Sequence, residues 1–261
     1  MGSLNNTSLI DHKVISEKYF FPRRESFANP FRISTPGGDL ACHFTRDHPN
    51  GMTLLHFHGN GETVSDWTGD FVSLIGSWGY NVLLAEYRGY GMSDGTPSFG
   101  AILEDIPRIM DGAGLKPSRT VLFGRSVGSV PAIRGVSLYP DMAGLVLESG
   151  IADVLERLLV RLHPSELGVK REDIESAISE SMDHRKALEG YRGPVLVLHA
   201  KNDSLVNINH GERLYGWSGG KKILKTFERG DHNDILYVNA REYFSVLGGF
   251  LNSLKGSISF R

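Results

Sequence analysis

Ser126 stands in the run VLFGRSVGSVPAI (121–133), where Gly124-Arg125-Ser126-Val127-Gly128 fits the pattern G-x-S-x-G. Small residues on both sides of a serine let a chain turn sharply out of a strand and into a helix, presenting the hydroxyl at the end of the sheet. A serine hydroxyl is a poor nucleophile at neutral pH, so this chemistry requires a base and a group that orients the base. A second match, Gly91-Met92-Ser93-Asp94-Gly95, competes for the role. It lies in the glycine-rich stretch YRGYGMSDGTPSFG with Pro97 close behind, and no helix starts at its turn. Ser93 is therefore expected to be loop structure and Ser126 the nucleophile.

Of the ten histidines, His232 in ERGDHND is the one that follows the last strand in a suitable loop. Imidazole takes a hydroxyl proton and returns it to a leaving group, a task suited to a pKa near neutrality. The orienting acid belongs at a strand end between serine and histidine, which selects Asp203 in VLHAKNDSLV and the order Ser126, Asp203, His232. Glu148 and Asp153, around the end of the preceding strand, and Asp231, next to His232, are rivals. An oxyanion would need two N–H donors: that of Val127, after the nucleophile, and that of Asn60 in the glycine-flanked loop GNGE.

These residues must be held by a sheet. The runs 52–58, 81–87, 120–124, 143–149, 194–200 and 221–227 are short and mostly apolar throughout, as in parallel strands covered on both faces. Helical patterns alternate with them near 62–78, 99–113, 127–139, 207–217 and 234–254. This order implies a mostly parallel sheet with right-handed crossovers and ligands beyond its carboxyl edge. Two lead-in strands, EKYFFPR and DLACHFTR, are expected to meet through the turn Pro36-Gly37-Gly38. A flexible tail over 1–14 and one domain over 15–261 complete the expectation.

About forty-five residues separate LVLES from PVLVLHA, well beyond the usual connection. Within them Ile151, Val154, Leu155, Leu158, Leu159 and Leu162 fall on one face of a helix, and a second, more polar helical stretch follows in KREDIESAISESMDHRKAL. The insert, at about 151–190, is expected to be a helical lid. Leu155, Leu158 and Leu159 would then wall a substrate pocket; the alternative is two ordinary packing helices.

Composition narrows the class of partner. The 261 residues carry a net charge of −2 and are 40% hydrophobic, so nothing points to a nucleic acid. Cys42 is alone, which excludes an intramolecular disulfide framework. No apolar run is long enough to span a bilayer, and MGSLNNTSLIDHK lacks a signal peptide's basic start and apolar run. Met1-Gly2 hints at myristoylation, yet Asn6 stands where that motif wants Ser or Thr, and Asn5-Asn6-Thr7 is a glycosylation sequon only in a secreted chain. A cytoplasmic protein is expected, with peripheral membrane contact left open.

Two competing motifs are weaker. His56-x-His58 suggests a metal pair, but GNGETV brings no Asp-His pair after it; a histidine bracing the loop is expected instead. Gly59-Asn60-Gly61 begins a dinucleotide turn whose third glycine is replaced by Val64, and Glu86 could serve a ribose, but this leaves the serine motif unexplained.

Together HFHGNGE, EYRGYGMSDGTPS, LFGRSVGS, AKNDSLV and GDHND resemble the α/β-hydrolase fold. In particular the chain is similar to the compact serine-hydrolase branch with the "alpha/beta-hydrolase domain" proteins, some of them depalmitoylating thioesterases. The resemblance runs over nearly the whole chain from about residue 15. It implies a mostly parallel central sheet with helices on both faces and a helical insert before the strand carrying the acid. It also implies a Ser126, Asp203, His232 triad and a loop at Gly59-Asn60 that contributes to an oxyanion hole. The insert is longer than in short-lidded relatives, and the N-terminal cysteine cluster of the palmitoyl-protein relatives is absent. The expected function is a serine hydrolase acting on a small-molecule acyl ester or thioester, with no metal or organic cofactor. A peptidase of the same fold, or a ligand-binding protein without turnover, is the alternative.

Overall fold

In the computed structural model, which describes residues 9–256, each of the six apolar runs forms a strand. They are β3 (Thr53–Phe57), β4 (Asn81–Ala85), β5 (Thr120–Arg125), β6 (Gly144–Glu148), β7 (Val195–Ala200) and β8 (Lys222–Phe227). With β1 (Phe31–Thr35) and β2 (Gly38–Phe44) they make one eight-stranded sheet ordered β1-β2-β4-β3-β5-β6-β7-β8. The pairs β1/β2 and β2/β4 are antiparallel, and all others are parallel.

Successive strand residues enter opposite cores, which is why these runs show no polar alternation. Leu55, Phe57, Leu122, Leu145 and Leu147 join the larger apolar cluster, whereas Leu54, Val121, Phe123 and Val146 join the second. Helices cover both. The helices α1 (Lys13–Tyr19), α3 (Phe99–Gly112), α4 (Ser129–Leu138) and α8 (Ile208–Trp217) bury apolar residues in the larger cluster. The second is closed by α2 (Asp70–Ser77), α9 (Ile235–Val238) and α10 (Ala240–Gly256). This is the α/β architecture that the sequence implied.

Two expectations need correction at the amino end. EKYFFPR is not a strand: its first residues end α1, and Tyr19 and Phe20 are buried against Phe99, so three rings decide the conformation. The hairpin partner of β2 is FRIST, and the chain reverses at Pro36-Gly37 as expected. Nor is the whole of 1–14 a loose tail. Leu9 and Ile10 are buried, and the Gly100 N–H donates to Asp11. The myristoylation and sequon positions lie outside the described residues. No helix among the described residues is long and apolar enough to cross a membrane.

The insert forms three α-helices rather than two, α5 (Val154–Leu159), α6 (Arg171–Ser181) and α7 (His184–Gly190), with a 3₁₀ turn over Pro164–Leu167. Asp183 caps α7 by accepting from Lys186 N–H, which interrupts the long polar stretch. Leu158 and Leu162 are buried in the larger core, and Leu155 and Leu159 pack against it. The leucine face of α5 therefore faces into the protein, because an apolar stripe is stabilised most by closing the core.

Several buried histidines tie stability to pH. Burial holds His184 neutral and lowers its pKa to about 4, against the pull of the Ile151 carbonyl, Asp183 and Asp153. Burial likewise lowers His56, aided by His58 and Arg125, and His199, opposed by the Val206 carbonyl and Asp203. In the unfolded chain each takes up a proton near pH ~6.5, which the folded state refuses. Their contribution is thus present above that pH and lost on acidification. His58, whose pKa is raised, acts in the opposite sense. Urea titrations should show unfolding free energy falling by about 1 kcal/mol or more per unit between roughly pH 6 and 5, with a shallower slope in His184→Asn. Constant or rising stability on acidification would contradict this.

Candidate active site

The turn at Ser126 follows directly from its glycines. A Cβ at Gly124 would run into the Gly128 carbonyl, and one at Gly128 would run into the carbonyl of Phe57 on β3. With those contacts closed, the chain leaves β5 through Ser126 at φ 53°, a left-handed conformation that costs a non-glycine residue energy. A 3₁₀ turn over Ser126–Gly128 then runs into α4. Ser129 holds the turn by donating its hydroxyl to the Ser126 carbonyl, 2.6 Å away, and accepting from Ile151 N–H.

Ser126 Oγ lies 2.9 Å from His232 Nε2, and His232 Nδ1 lies 2.9 and 3.0 Å from the two carboxylate oxygens of Asp203. Given that carboxylate, the network assigns the proton to Nδ1 and lets Ser126 donate to Nε2. All three side chains are largely buried, with Ser126 retaining 8% exposure. Burial alone would raise the Asp203 pKa, yet it is lowered by the His232 hydrogen bond and charge and by the Val206 N–H. Asp203 also accepts from Leu205 N–H, so its loop is stiffened around the ionised form.

The rival acids are engaged elsewhere. Asp153 caps α5 and pairs with Arg213. Asp231 accepts from the backbone N–H groups of Ser204 and His232 and from the Ser204 hydroxyl. Glu148 lies opposite Arg125 in the β5/β6 register, binds its Nε at 3.0 Å and accepts from the Tyr243 hydroxyl. Ser93 is fully buried and accepts from Ala41 N–H, 2.9 Å away.

Asn60 lies in the loop after β3 and is held by its side chain. Its carboxamide oxygen accepts from Phe21 N–H at 2.9 Å and the Tyr90 hydroxyl at 2.7 Å, and its nitrogen donates to the Tyr19 carbonyl. Among the described residues no acceptor engages the Asn60 backbone N–H. His58 braces the same loop: Nε2 is 2.6 Å from Glu86, which also accepts from Val64 N–H, and Nδ1 is 2.8 Å from the Gly59 carbonyl. Burial opposes the charge on His58, but Glu86 and the Gly59 carbonyl outweigh it and raise its pKa. His56 is buried among Trp67, Phe71 and Phe123, apart from this bracing pair.

Sequence reasoning missed the residue that joins these loops. The Arg125 guanidinium reaches Glu62 at 2.6 Å, Glu148 at 3.0 Å and the His232 carbonyl at 2.8 Å. Glu62 in turn accepts from Gly59 N–H. One buried cation thereby ties the Asn60 loop, the end of β6 and the histidine loop. A signal was available: Arg125 and Glu148 are charges that close otherwise apolar strands, and adjacent parallel strands can bring such ends into register.

Leu155, Leu158 and Leu159, expected to wall a substrate pocket, turn toward the larger core. A cleft of about 540 Å³ is lined instead by the other face of the same segment, Arg157, Val160 and Arg161, with Lys18, Phe21, Ser204 and Leu205. Its flanks adjoin the site on both sides, since Phe21 bonds Asn60 and Ser204-Leu205 follow Asp203.

Comparison with known proteins supports this arrangement at the level of fold. Residues 48–171 match the family model described as serine aminopeptidase, S33. Human alpha/beta hydrolase domain-containing protein 17B is 24% identical over 232 residues, covering 87% of this chain and 73% of that protein. Est1E from Butyrivibrio proteoclasticus, solved with ferulic acid bound, superposes with a TM-score of 0.71 at 16% identity, over 86% of this chain and 99% of that one. An esterase from Pyrococcus furiosus superposes with a TM-score of 0.66 at 17% identity, over 90% and 98%. The chain has the α/β-hydrolase fold.

Removing one partner from a buried ion cluster leaves the others without compensation, at a cost of about 3–5 kcal/mol. Arg125→Met should show a loss of that size by urea unfolding, and Arg125→Met/Glu148→Gln should recover part of it. Equal stability of Arg125→Met and the parent would show that the cluster does not couple the loops.

Proposed function

With the α/β-hydrolase fold as premise, we propose that this chain is a serine hydrolase that cleaves a carboxylic ester or thioester through an acyl-enzyme on Ser126. The observation that carries the reading is the hydroxyl–imidazole–carboxylate chain, Ser126 to His232 to Asp203, mounted on a backbone turn held at positive φ.

The steps follow from the geometry. His232 Nε2 takes the Ser126 proton as Oγ bonds to the substrate carbonyl carbon, and the Asp203 carboxylate stabilises the imidazolium. The carbonyl oxygen becomes an oxyanion, for which the N–H groups of Val127 and Asn60 are the donors. The C–O or C–S bond then breaks, and the leaving alcohol or thiol departs with the proton from Nε2. Water next gives a proton to Nε2 and adds to the acyl carbon; Ser126 leaves with that proton, releasing the acid. The anchoring of the Asn60 side chain supports its role, because a preorganised donor needs no reorganisation as charge develops.

The match to a serine aminopeptidase family model supports a second reading in which the leaving group is an amine. The same chain of groups would serve it, so aminoacyl anilides assayed beside p-nitrophenyl esters separate the two by kcat/KM. Faster turnover of the anilides would transfer the assignment.

Two measurements test the residues. A fluorophosphonate probe should attach to Ser126, with no label in Ser126→Ala; an adduct mapped to Ser93 would sink the proposal. Asp203→Asn should lower kcat on the order of 10⁴-fold, while Asp153→Asn, which changes a helix cap, should stay within about tenfold of the parent. Collapse of Asp153→Asn with near-normal Asp203→Asn would move the orienting role to Asp153.

A further inference from the structure

The cleft beside the site has an unusual lining. Phe21, Val160 and Leu205 are 43%, 66% and 42% exposed, three of the six large apolar side chains left open among the described residues, and all three face this one opening. Around them stand three cations and no carboxylate. Lys18 is engaged by Glu166 from outside the cleft. Arg161 stacks over the Phe21 ring at 4.7 Å. Among the described residues no acidic group pairs with Arg157 or Arg161. The nearby acids are otherwise engaged: Asp153 and Glu156 pair with Arg213, and Asp231 takes the hydrogen bonds of Ser204.

Arg157 and Arg161 are four residues apart in a continuous turn, for the N–H groups of Arg161 and Leu162 both bond the Leu158 carbonyl. Like charges at that spacing repel and weaken a helix. The opposite leucine face of the segment already anchors it in the core, so the repulsion is tolerated without a partner from the protein. Two forked guanidinium groups one turn apart match the oxygens of a phosphate, and the exposed apolar residues that share the cleft with them match a hydrocarbon chain.

We infer that this cleft receives an acyl ester or thioester whose leaving group carries a phosphate, the acyl chain lying against Phe21, Val160 and Leu205 and the phosphate between Arg157 and Arg161. The inference rests on the hydrolase reading above and names its substrate class. The phosphate stays covalently on the leaving group: Ser126 takes the acyl carbon, the C–O or C–S bond breaks, and the phosphorylated alcohol or thiol leaves with the His232 proton. Such a phosphate has two sources, a soluble phosphorylated thiol or a lipid headgroup.

Two matched substrate pairs separate them. S-acyl phosphopantetheine is compared with S-acyl pantetheine, and lysophosphatidic acid micelles with monoacylglycerol of the same chain. In at least one pair the phosphorylated member should have a kcat/KM about tenfold higher, and added salt should narrow the gap. Arg157→Gln/Arg161→Gln should bring that ratio toward unity, whereas Arg157→Lys/Arg161→Lys should retain most of it. The melting temperature of each variant reports folding. The pair that discriminates identifies the source. Calorimetric binding of the phosphorylated and neutral thioesters to Ser126→Ala reads the same preference without turnover. No preference in either pair, or a ratio that persists in the folded glutamine double variant, overturns the inference while leaving the hydrolase reading intact. Failure of the parent to turn over any acyl substrate, with the binding preference retained, overturns the hydrolase reading instead.

Discussion

A guanidinium sealed inside a protein must find its counter-charges within reach, and Arg125 finds them on separate segments. Glu62 comes from the loop after β3, Glu148 from the end of β6, and the His232 carbonyl from the loop after β8. Left alone, that cation would carry a desolvation cost of several kcal/mol. None of the three loops can move off it without exposing the deficit. Because Arg125 immediately precedes Ser126, the position of the hydroxyl is referred to the same point as the imidazole and the Asn60 loop. The separation of 2.9 Å between Oγ and Nε2 is thus set by electrostatics one residue away as well as by the strand.

Backbone contact supplies the rest of that precision. β3 and β5 are adjacent, with Phe57 opposite Gly124, and the elbow folds back so closely that Gly128 lies against the Phe57 carbonyl. The loop leaving β3 therefore starts within touching distance of the turn leaving β5. Its far side is steadied by the segment EYRGYG: Glu86 holds His58 and Val64 N–H, Tyr87 donates to the His58 carbonyl, and Tyr90 donates to Asn60. Arg88 binds both oxygens of Asp105 on α3, fixing the segment itself. What reads in the sequence as a glycine-rich loop is a scaffold whose glycines admit the polar side chains around it.

The insert shows how one helix can serve two neighbours. Its leucines close the larger core, and this anchorage lets the opposite face carry Val160 and Arg161 exposed and Arg157 half-buried along the cleft. The apolar stripe identified the buried side, and the cleft-lining side is its complement.

The amino-acid sequence by itself determined the alternation of strands and helices, the sharp turn at Ser126, and the order of hydroxyl, acid and histidine along the chain. Those depend on local pattern: fully apolar short runs, two glycines about a serine, and polar residues placed just past strands. Tertiary structure decided what depends on neighbours distant in the chain. EKYFFPR carries the apolar and aromatic residues of a strand, yet Phe99, some eighty residues away in sequence, draws its rings into a core. Glu148, Asp153 and Asp203 were all acids near strand ends, and the register of β5 with β6 committed Glu148 to Arg125. Asp203 was left to His232 because, among the acids of the described residues, its carboxylate is the one that meets the imidazole Nδ1. A helix stripe reports how strongly a face prefers to be buried, but not which partner buries it, so the inward turn of the leucines and the outward turn of the arginines appeared only with the packed core.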